Sequence, residues 1–421
     1  MPRVDHADSE VDSGAQATTE PFDLASLDIY DPGLYVENVP HERFRFLRQQ
    51  DPVFWQELPS GRGFWCLTKH ADVKAASEAP EIFSAELGGV VIEDLSPDQL
   101  QLMRSQLLSM DPPHHGVMRR KVLASFTPGR IGRMEGFVRE RARALVERAL
   151  EHGQVEFVHE MAAELPLQVI CEILGVPEQD RPWVVEMGDR IIGRDDPELN
   201  PGGEAFAASR ELGAYGFRLA MERKGTESDD LISALLHAKA RDDQVNEVEF
   251  AGLFVQIIIA GNETTRTLLS GSVLVLLQHG ESWRALQREP SGLPTAIEEM
   301  LRWTTPVHYF RRTAACDTEL REKRIRRGER VVLHYTSANF DEEAFEDSFR
   351  FDITRDPNPH LAFGWGEHFC LGAKLARLEA RVFWEEFFAR VASAEINGPV
   401  RRMRSNLNNS HKAIPLRLFA R

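Results

Sequence analysis

The longest apolar pattern in the chain runs from 248 to 279 and predicts one long helix. Leu253, Phe254, Val255, Ile257, Ile258 and Ile259 precede a polar interruption, and Leu268, Leu269, Val273, Leu274, Val275, Leu276 and Leu277 follow it. Roughly thirty helical residues reach about 45 Å, enough to cross a whole domain. Asn262, Glu263 and Arg266 break the run, which argues against a membrane span. Helical spacing recurs over 131–152, 165–174, 203–224 and 229–240. A one-sided stripe of Leu371, Leu375, Leu378, Val382 and Phe387 predicts another helix near the C-terminus. Strand-like runs are few and short: Val53–Glu57, 64–67, Arg330–His334 and 414–418. The pattern is that of a mainly α chain with a small β region.

The interruption in the long helix is the first sign of chemistry. An acid and two threonines in a buried helix are costly unless they pair or line a cavity. The Thr264 hydroxyl can compete for the Ala260 carbonyl and open the helix locally. Taken alone, the segment reads equally well as a kink with a capped polar cluster. A second sign is the turn 363–372, where Cys370 lies at or just before a helix start. There the helix dipole and unpaired N–H groups favour a thiolate. Gly364 and Gly366 allow close backbone approach and conformations closed to other residues. The chain has four cysteines, none spaced for a zinc knuckle or a redox pair. Cys66, Cys171 and Cys316 read as small buried hydrophobes. Cys370 could be a nucleophile, a redox sensor or a single axial metal ligand. With His368 two residues away, the residues themselves leave these open.

FGWGEHFCLGAKLAR, residues 363–377, resembles the haem-binding signature of the cytochrome P-450 superfamily at Phe363, Gly364, Gly366, His368, Cys370, Gly372 and Ala376. The resemblance implies the P-450 fold, an α-rich domain with a small β region. Haem b (iron protoporphyrin IX) would lie between the long central helix and the cysteine loop. It makes Cys370 the thiolate ligand of the iron, whose electron donation favours O–O cleavage, and places Phe363 and Gly364 at the cofactor. Residues 260–265 resemble the family's oxygen-activation motif, so Glu263 and Thr264 are expected to deliver protons. Glu299 and Arg302 resemble a buried structural ion pair, with Arg350 as the expected third member. Seen alone, Glu299 and Arg302 are an ordinary helix surface pair, and His115 and Arg119 a basic helix face. By resemblance His115, Arg119, Arg312 and His368 bind the haem carboxylates, arginine pairing well with such groups. Family spacing favours His115 over His114. Family position also sends Gln256, Ile259, Ala260, Val307, His308 and Asn409 to the substrate pocket, and makes Phe83 and the loop 88–108 a mobile lid.

Composition adds limits. The chain has 421 residues with 42% hydrophobic content and no Gly/Ser linker or repeat, so one domain is expected over 21–421. Residues 1–20 are polar and acidic, without an apolar run, and are expected to be a disordered tail. They carry neither a signal peptide nor a membrane anchor, which points to a cytoplasmic protein. Fifty basic against 66 acidic residues leave a net charge of −16. That balance, without a basic tract bearing aromatics, disfavours nucleic acid. Arg119, Arg120, Lys121 and Lys374 form a local basic group that could steer an acidic electron carrier or be a solvated helix face. No flavin or iron–sulfur segment is fused, so a ferredoxin and an NAD(P)H-dependent ferredoxin reductase are the expected partners, with O2 as co-substrate. Residues 31–35, 358–361 and 404–406 resemble a bacterial subset acting on terpenoids, sterol side chains and branched aliphatics. The expected activity is monooxygenation of a lipophilic small molecule. The alternatives are another haem-thiolate reaction (peroxygenase, oxidative coupling, dehydration) or a haem-binding sensor. Glu263 and Thr264 argue against peroxide-only use, and a sensor needs neither.

Overall fold

The computed structural model describes residues 22–59, 61–224, 231–236 and 245–421. The expected tail therefore lies outside the described residues, as does half of the 229–240 helix. In chain order the helices are α1 (His41–Gln50), α2 (His70–Ser77), α3 (Pro97–Arg104), α4 (His114–Leu123), α5 (Pro128–Arg133), α6 (Glu135–His152), α7 (Glu164–Leu174) and α8 (Arg181–Ile192). They continue as α9 (Ala205–Glu222), α10 (Leu231–Leu236), α11 (Glu247–Gln278), α12 (Gly280–Arg288), α13 (Leu293–Thr304), α14 (Tyr335–Ala338) and α15 (Ala373–Arg390). The single helix expected over 131–152 is two, broken at Met134.

The strands are β1 (Val53–Glu57), β2 (Gly63–Leu67), β3 (Phe83–Ser84), β4 (Gln154–Glu156), β5 (Tyr309–Ala314), β6 (Thr318–Leu320), β7 (Lys323–Ile325), β8 (Arg330–His334), β9 (Val391–Ile396), β10 (Arg401–Arg402), β11 (His411–Ala413) and β12 (Pro415–Ala420). The main sheet runs β1-β2-β8-β5-β3, antiparallel except for β2 against β8. A second sheet runs β4-β12-β9. Phe83, expected in a lid, is buried in the main sheet opposite Ala314. The 88–94 part of the expected lid is pinned, since Arg311 donates to the Val91 and Glu93 carbonyls at 3.2 Å each.

Helix α11 forms where the apolar pattern predicts, and a reciprocal cap between Asn246 and Glu249 starts it. It runs unbroken through the polar interruption and packs against α7, α9, α13 and α15. Among the described residues no helix is long and apolar enough to cross a membrane.

His308, His334 and His411 are buried, and His41 is half-buried with its Nδ1 out of contact with solvent. The His308 and His334 rings are 6.3 Å apart, and Arg402 lies 3.4 Å from His411 Nε2. Burial, reinforced by nearby cationic groups, holds His41, His334 and His411 down at about 3, and His308 well below its ordinary value. Folded and unfolded chains bind these protons alike above pH 6.5. Below it only the unfolded chain takes them up, so stability falls as pH falls, down to about pH 3. The three groups held at about 3 cost roughly 6 kcal/mol by pH 5, comparable to the whole stability of a domain. A melting series should therefore collapse between pH 6.5 and 5. His334→Phe should take one proton off that slope, about 1.4 kcal/mol per pH unit. A flat profile through this window would show that these rings titrate normally.

Candidate active site

Helix α13 ends on Thr305, a threonine in the left-handed region at φ 36°. Its hydroxyl donates to the Arg302 carbonyl at 2.7 Å and accepts from Asn339 Nδ2 at 2.8 Å, which holds the turn. The turn sends Pro306 and Val307 into an internal cavity of about 210 Å³. From α11 the cavity receives Leu253, Gln256, Ile257, Ala260, Gly261, Thr264, Thr265 and Leu268. These recur at i, i+3, i+4, i+7 and i+8, one face of a helix. Leu107, Leu108, Phe126, Ile170 and Phe310 close apolar parts of the wall.

The cysteine loop lies across the cavity from α11. Gly364 and Gly366 take φ values of 68° and 70°. A Cβ on Gly366 would stand 2.4 Å from the Ser77 carbonyl oxygen, so both conformation and space demand glycine there. The Cys370 N–H donates to the Phe363 carbonyl at 2.9 Å, closing the loop. Its sulfur faces the cavity and accepts from the backbone N–H groups of Gly372 and Ala373, just ahead of α15. Burial nevertheless wins and raises the Cys370 thiol above its usual range; those amides and the Arg119 and Arg377 cations offset it only in part. The helix-start argument alone therefore has the sign wrong, since burial outweighs the amides and cations at the sulfur. Cys66 and Cys171 are buried as expected, but Cys316 is exposed.

Beside the loop, His115 and His368 stack with ring centroids 4.3 Å apart. The Nε2 atom of each is buried without a partner. Burial, then the Arg119 and Arg312 cations, lower His115 to about 4; burial first, then Arg312, lowers His368 still further. Arg119 borders the cavity and gives one N–H to the Phe369 carbonyl at 2.6 Å. Arg312 is buried beside them and donates to the Arg311 carbonyl at 3.0 Å. Two orphaned imidazole nitrogens near two cations suit an anionic group.

Several expectations fail on geometry. Ile259 lies off the α11 stripe and packs toward Gly188 of α8. His308 follows Val307 in extended chain, so it points the other way; it is buried and its Nδ1 is 2.7 Å from Thr336 Oγ1. Asn409 accepts from Arg402 at 2.5 Å and donates to the Thr304 carbonyl, which ties down the end of α13. Of the six expected pocket residues only Gln256, Ala260 and Val307 line the cavity. Thr264 lines it too, with its hydroxyl donating to the Ala260 carbonyl at 2.7 Å. Glu263 does not. It is buried between Arg266 and the Ser410 hydroxyl, and Arg266 continues to Asp189 of α8 at 2.8 Å.

Arg350 is also displaced as the third member of the buried pair. Its side chain is 65% exposed and pairs with Asp347 and Asp352. Arg355 takes the place, with Nε 3.2 Å from Glu299 Oε2. Arg350 contributes only its carbonyl, which accepts from Arg355 at 3.0 Å.

A family model of cytochrome P450 matches residues 217–391. A steroid C26-monooxygenase of Rhodococcus jostii is 37% identical over 406 residues, covering 94% of this chain and 85% of the relative. The chain belongs to the cytochrome P450 family. A methyl-branched lipid omega-hydroxylase of Mycobacterium tuberculosis is also 37% identical, with 94% of each chain covered. The solved structure of a Mycobacterium marinum cytochrome P450 in complex with pseudoionone superposes with a TM-score of 0.87 at 34% identity, over 95% of this chain and all of that one. The protein is thus a P450 monooxygenase whose cofactor is haem b. The residues present fit that group. A sulfur faces the cavity, and the orphaned nitrogens of His115 and His368 lie where carboxylates can pair.

Proposed function

We propose that this P450 oxidises a branched aliphatic or steroid side chain, with electrons from a separate ferredoxin and its NAD(P)H-dependent reductase. The observation that carries the substrate class is the part of the cavity wall formed by Leu107, Leu108, Leu253, Ile257, Val307 and Phe310, which is apolar, with Gln256 the polar side chain of the α11 face above Ala260. Gln256 Oε1 accepts from the Leu108 N–H at 3.4 Å, which leaves its amide N–H groups for a ligand carbonyl or hydroxyl. The names of the two relatives, a steroid C26-monooxygenase and a methyl-branched lipid omega-hydroxylase, support the reading. The test is a panel of ligands followed by the ferric spin state. Steroids with an alkyl side chain and methyl-branched chains should shift it at micromolar concentration, and linear alkanes should not. Exclusive response to small aromatic ligands would overturn the substrate class.

When bound, the haem supplies an iron centre that activates O2 with the thiolate's help. Cys370 would ligate it, Phe363 and Gly364 would back it, and His115, Arg119, Arg312 and His368 would hold its carboxylates. Thr264 presents a hydroxyl to the cavity while anchored on Ala260. Glu263 reaches inward only by leaving Arg266 and Ser410, so its role is to pass a proton from the Asp189 side. Thr264→Ala should leave NAD(P)H consumption largely intact while product per NAD(P)H falls about tenfold or more and peroxide rises. Unchanged coupling would remove Thr264 from proton delivery.

The exposed side chains of Arg120 and Lys374, with the half-exposed Phe369, lie near the cysteine loop on a chain of net charge −16. They support docking of an acidic ferredoxin there. All four cysteines are unpaired, which supports work in a reducing compartment such as the cytoplasm.

A further inference from the structure

Residues 358–361 lead into the cysteine loop and take no part in the mechanism above. The side chain of His360 is only 3% exposed. Its Nδ1 accepts from the Ala362 N–H at 3.2 Å, so the ring proton sits on Nε2. Nε2 gives that proton to Glu298 Oε2, 3.1 Å away. Glu298 lies on α13 and also accepts from Arg377 Nε and Nη2, both at 2.6 Å, a two-pronged pairing. Arg377 lies on α15, and its Nη1 donates to the Ala373 carbonyl at 3.4 Å.

The guanidinium carbon of Arg377 stands 4.5 Å from the centre of the Phe363 ring. Phe363 lines the cavity with Cys370, and its carbonyl accepts the Cys370 N–H at 2.9 Å. Arg377 is not among the lining residues, so it acts on the cavity through Phe363. The sulfur feels two cations, Arg119 and Arg377. A haem carboxylate would neutralise Arg119, which leaves Arg377. A tie between α13 and α15 needs the ion pair alone. The ring contact and the donor from His360 go further, because they fix where the positive end of the pair points.

We propose that Arg377 and Glu298 are positioning residues that set the one-electron reduction potential of the haem, with His360 holding Glu298 in place. This rests on Cys370 as the iron ligand. When the ferric centre gains an electron from the external carrier, the iron and its sulfur together become more negative by one charge. A nearby cation stabilises the reduced form and raises the potential, and a nearby anion lowers it. Arg377, stacked on Phe363, therefore favours reduction, and Glu298 at the edge of its guanidinium moderates that effect. Burial would raise the Glu298 carboxyl, but Arg377 and then His360 outweigh it and hold it down at about 2. The anion is therefore present throughout the neutral range.

The test is potentiometric titration of the haem protein, without ferredoxin or turnover. Arg377→Gln should lower the equilibrium constant for one-electron reduction about tenfold, equivalent to about 59 mV. Glu298→Gln should raise it by about threefold or more, the opposite sign. Arg377→Lys keeps the charge and should stay within about threefold of the parent. Lys374→Gln removes an exposed charge from the first turn of the same helix, and solvent screening should keep it within about twofold. The C–O stretch of the ferrous carbon monoxide complex should fall in Arg377→Gln and rise in Glu298→Gln, as sulfur donation grows and shrinks. A pair kept only to tie two helices would lower the melting temperature of both variants and leave the potential unmoved, or move it the same way in both. Either result would overturn the proposal. If Arg377→Gln takes up no haem, the sign of the Glu298→Gln shift decides alone. The red-shifted carbon monoxide band of the parent reports the sulfur ligand separately, so a wrong ligand and a wrong role for this pair are told apart.

Discussion

Cys370→Ser is expected to give a folded protein that still takes up haem weakly but shows no red-shifted absorption in its ferrous carbon monoxide complex. The loop does not depend on sulfur for its shape. The backbone bond from residue 370 to the Phe363 carbonyl persists, and so do the positive φ angles of Gly364 and Gly366. What changes is the ligand. The cavity raises even a thiol above its usual range, and a serine hydroxyl starts far higher. No alkoxide forms to donate charge to the iron. Turnover should fall at least about a thousandfold, equivalent to about 4 kcal/mol of transition-state stabilisation. Melting temperature of the haem-free chain should stay near that of the parent. Survival of the red-shifted band would mean that another residue holds the iron. Cys66, Cys171 and Cys316 are not among the residues lining the cavity, so none of them is placed to substitute.

Much of this site is legible in the sequence. The cysteine loop and the long helix follow from local pattern and motif, and resemblance to the family supplies three of the six pocket residues. The placements that pattern and family position did not supply divide by cause. The positions of Ile259 and Glu263 off the cavity were within reach of the sequence. The stripe 253, 256, 257, 260, 261, 264, 265 and 268 puts 259 and 263 on the opposite side of α11, and helical spacing alone shows it. The same spacing on α15 joins Leu371, Leu375, Ala376 and Glu379, which would have brought that acid to the cavity. His308 and Asn409 were not legible. Their orientations depend on the left-handed turn at Thr305 and on Arg402, which lies about a hundred residues from Thr305 in sequence. The sign of the Cys370 shift was likewise hidden, because it balances local amides against burial by the whole fold. Arg350 against Arg355 is a choice among loop arginines that only the course of the chain decides.

That last choice carries a second large effect. Arg302 is wholly buried and gives both Nε and Nη2 to Glu299 at 2.8 Å. Its Nη1 reaches the Asn339 and Ser348 carbonyls, also at 2.8 Å. Glu299 in turn accepts from the Asp352 N–H and Asn358 Nδ2, each at 3.0 Å, and from Arg355. One pair thus ties α13 to the long connection that leads from α14 to the cysteine loop. Removing either charge leaves the other buried and alone, which costs about 3–5 kcal/mol. A domain has only about 5–15 kcal/mol to lose. Glu299→Gln and Arg302→Met are therefore expected to accumulate as insoluble or haem-free protein. Arg355 lies at the rim of the cluster, so Arg355→Ala should lower stability by roughly 1–3 kcal/mol and leave a foldable enzyme. Arg350→Ala should fall within about 0.5 kcal/mol of the parent. Urea denaturation of the soluble variants, with haem content as a second readout, gives the order. If Arg350→Ala proved the more damaging of the two loop substitutions, the third member of the cluster would be Arg350 after all, and the path of the 347–358 loop drawn above would be wrong.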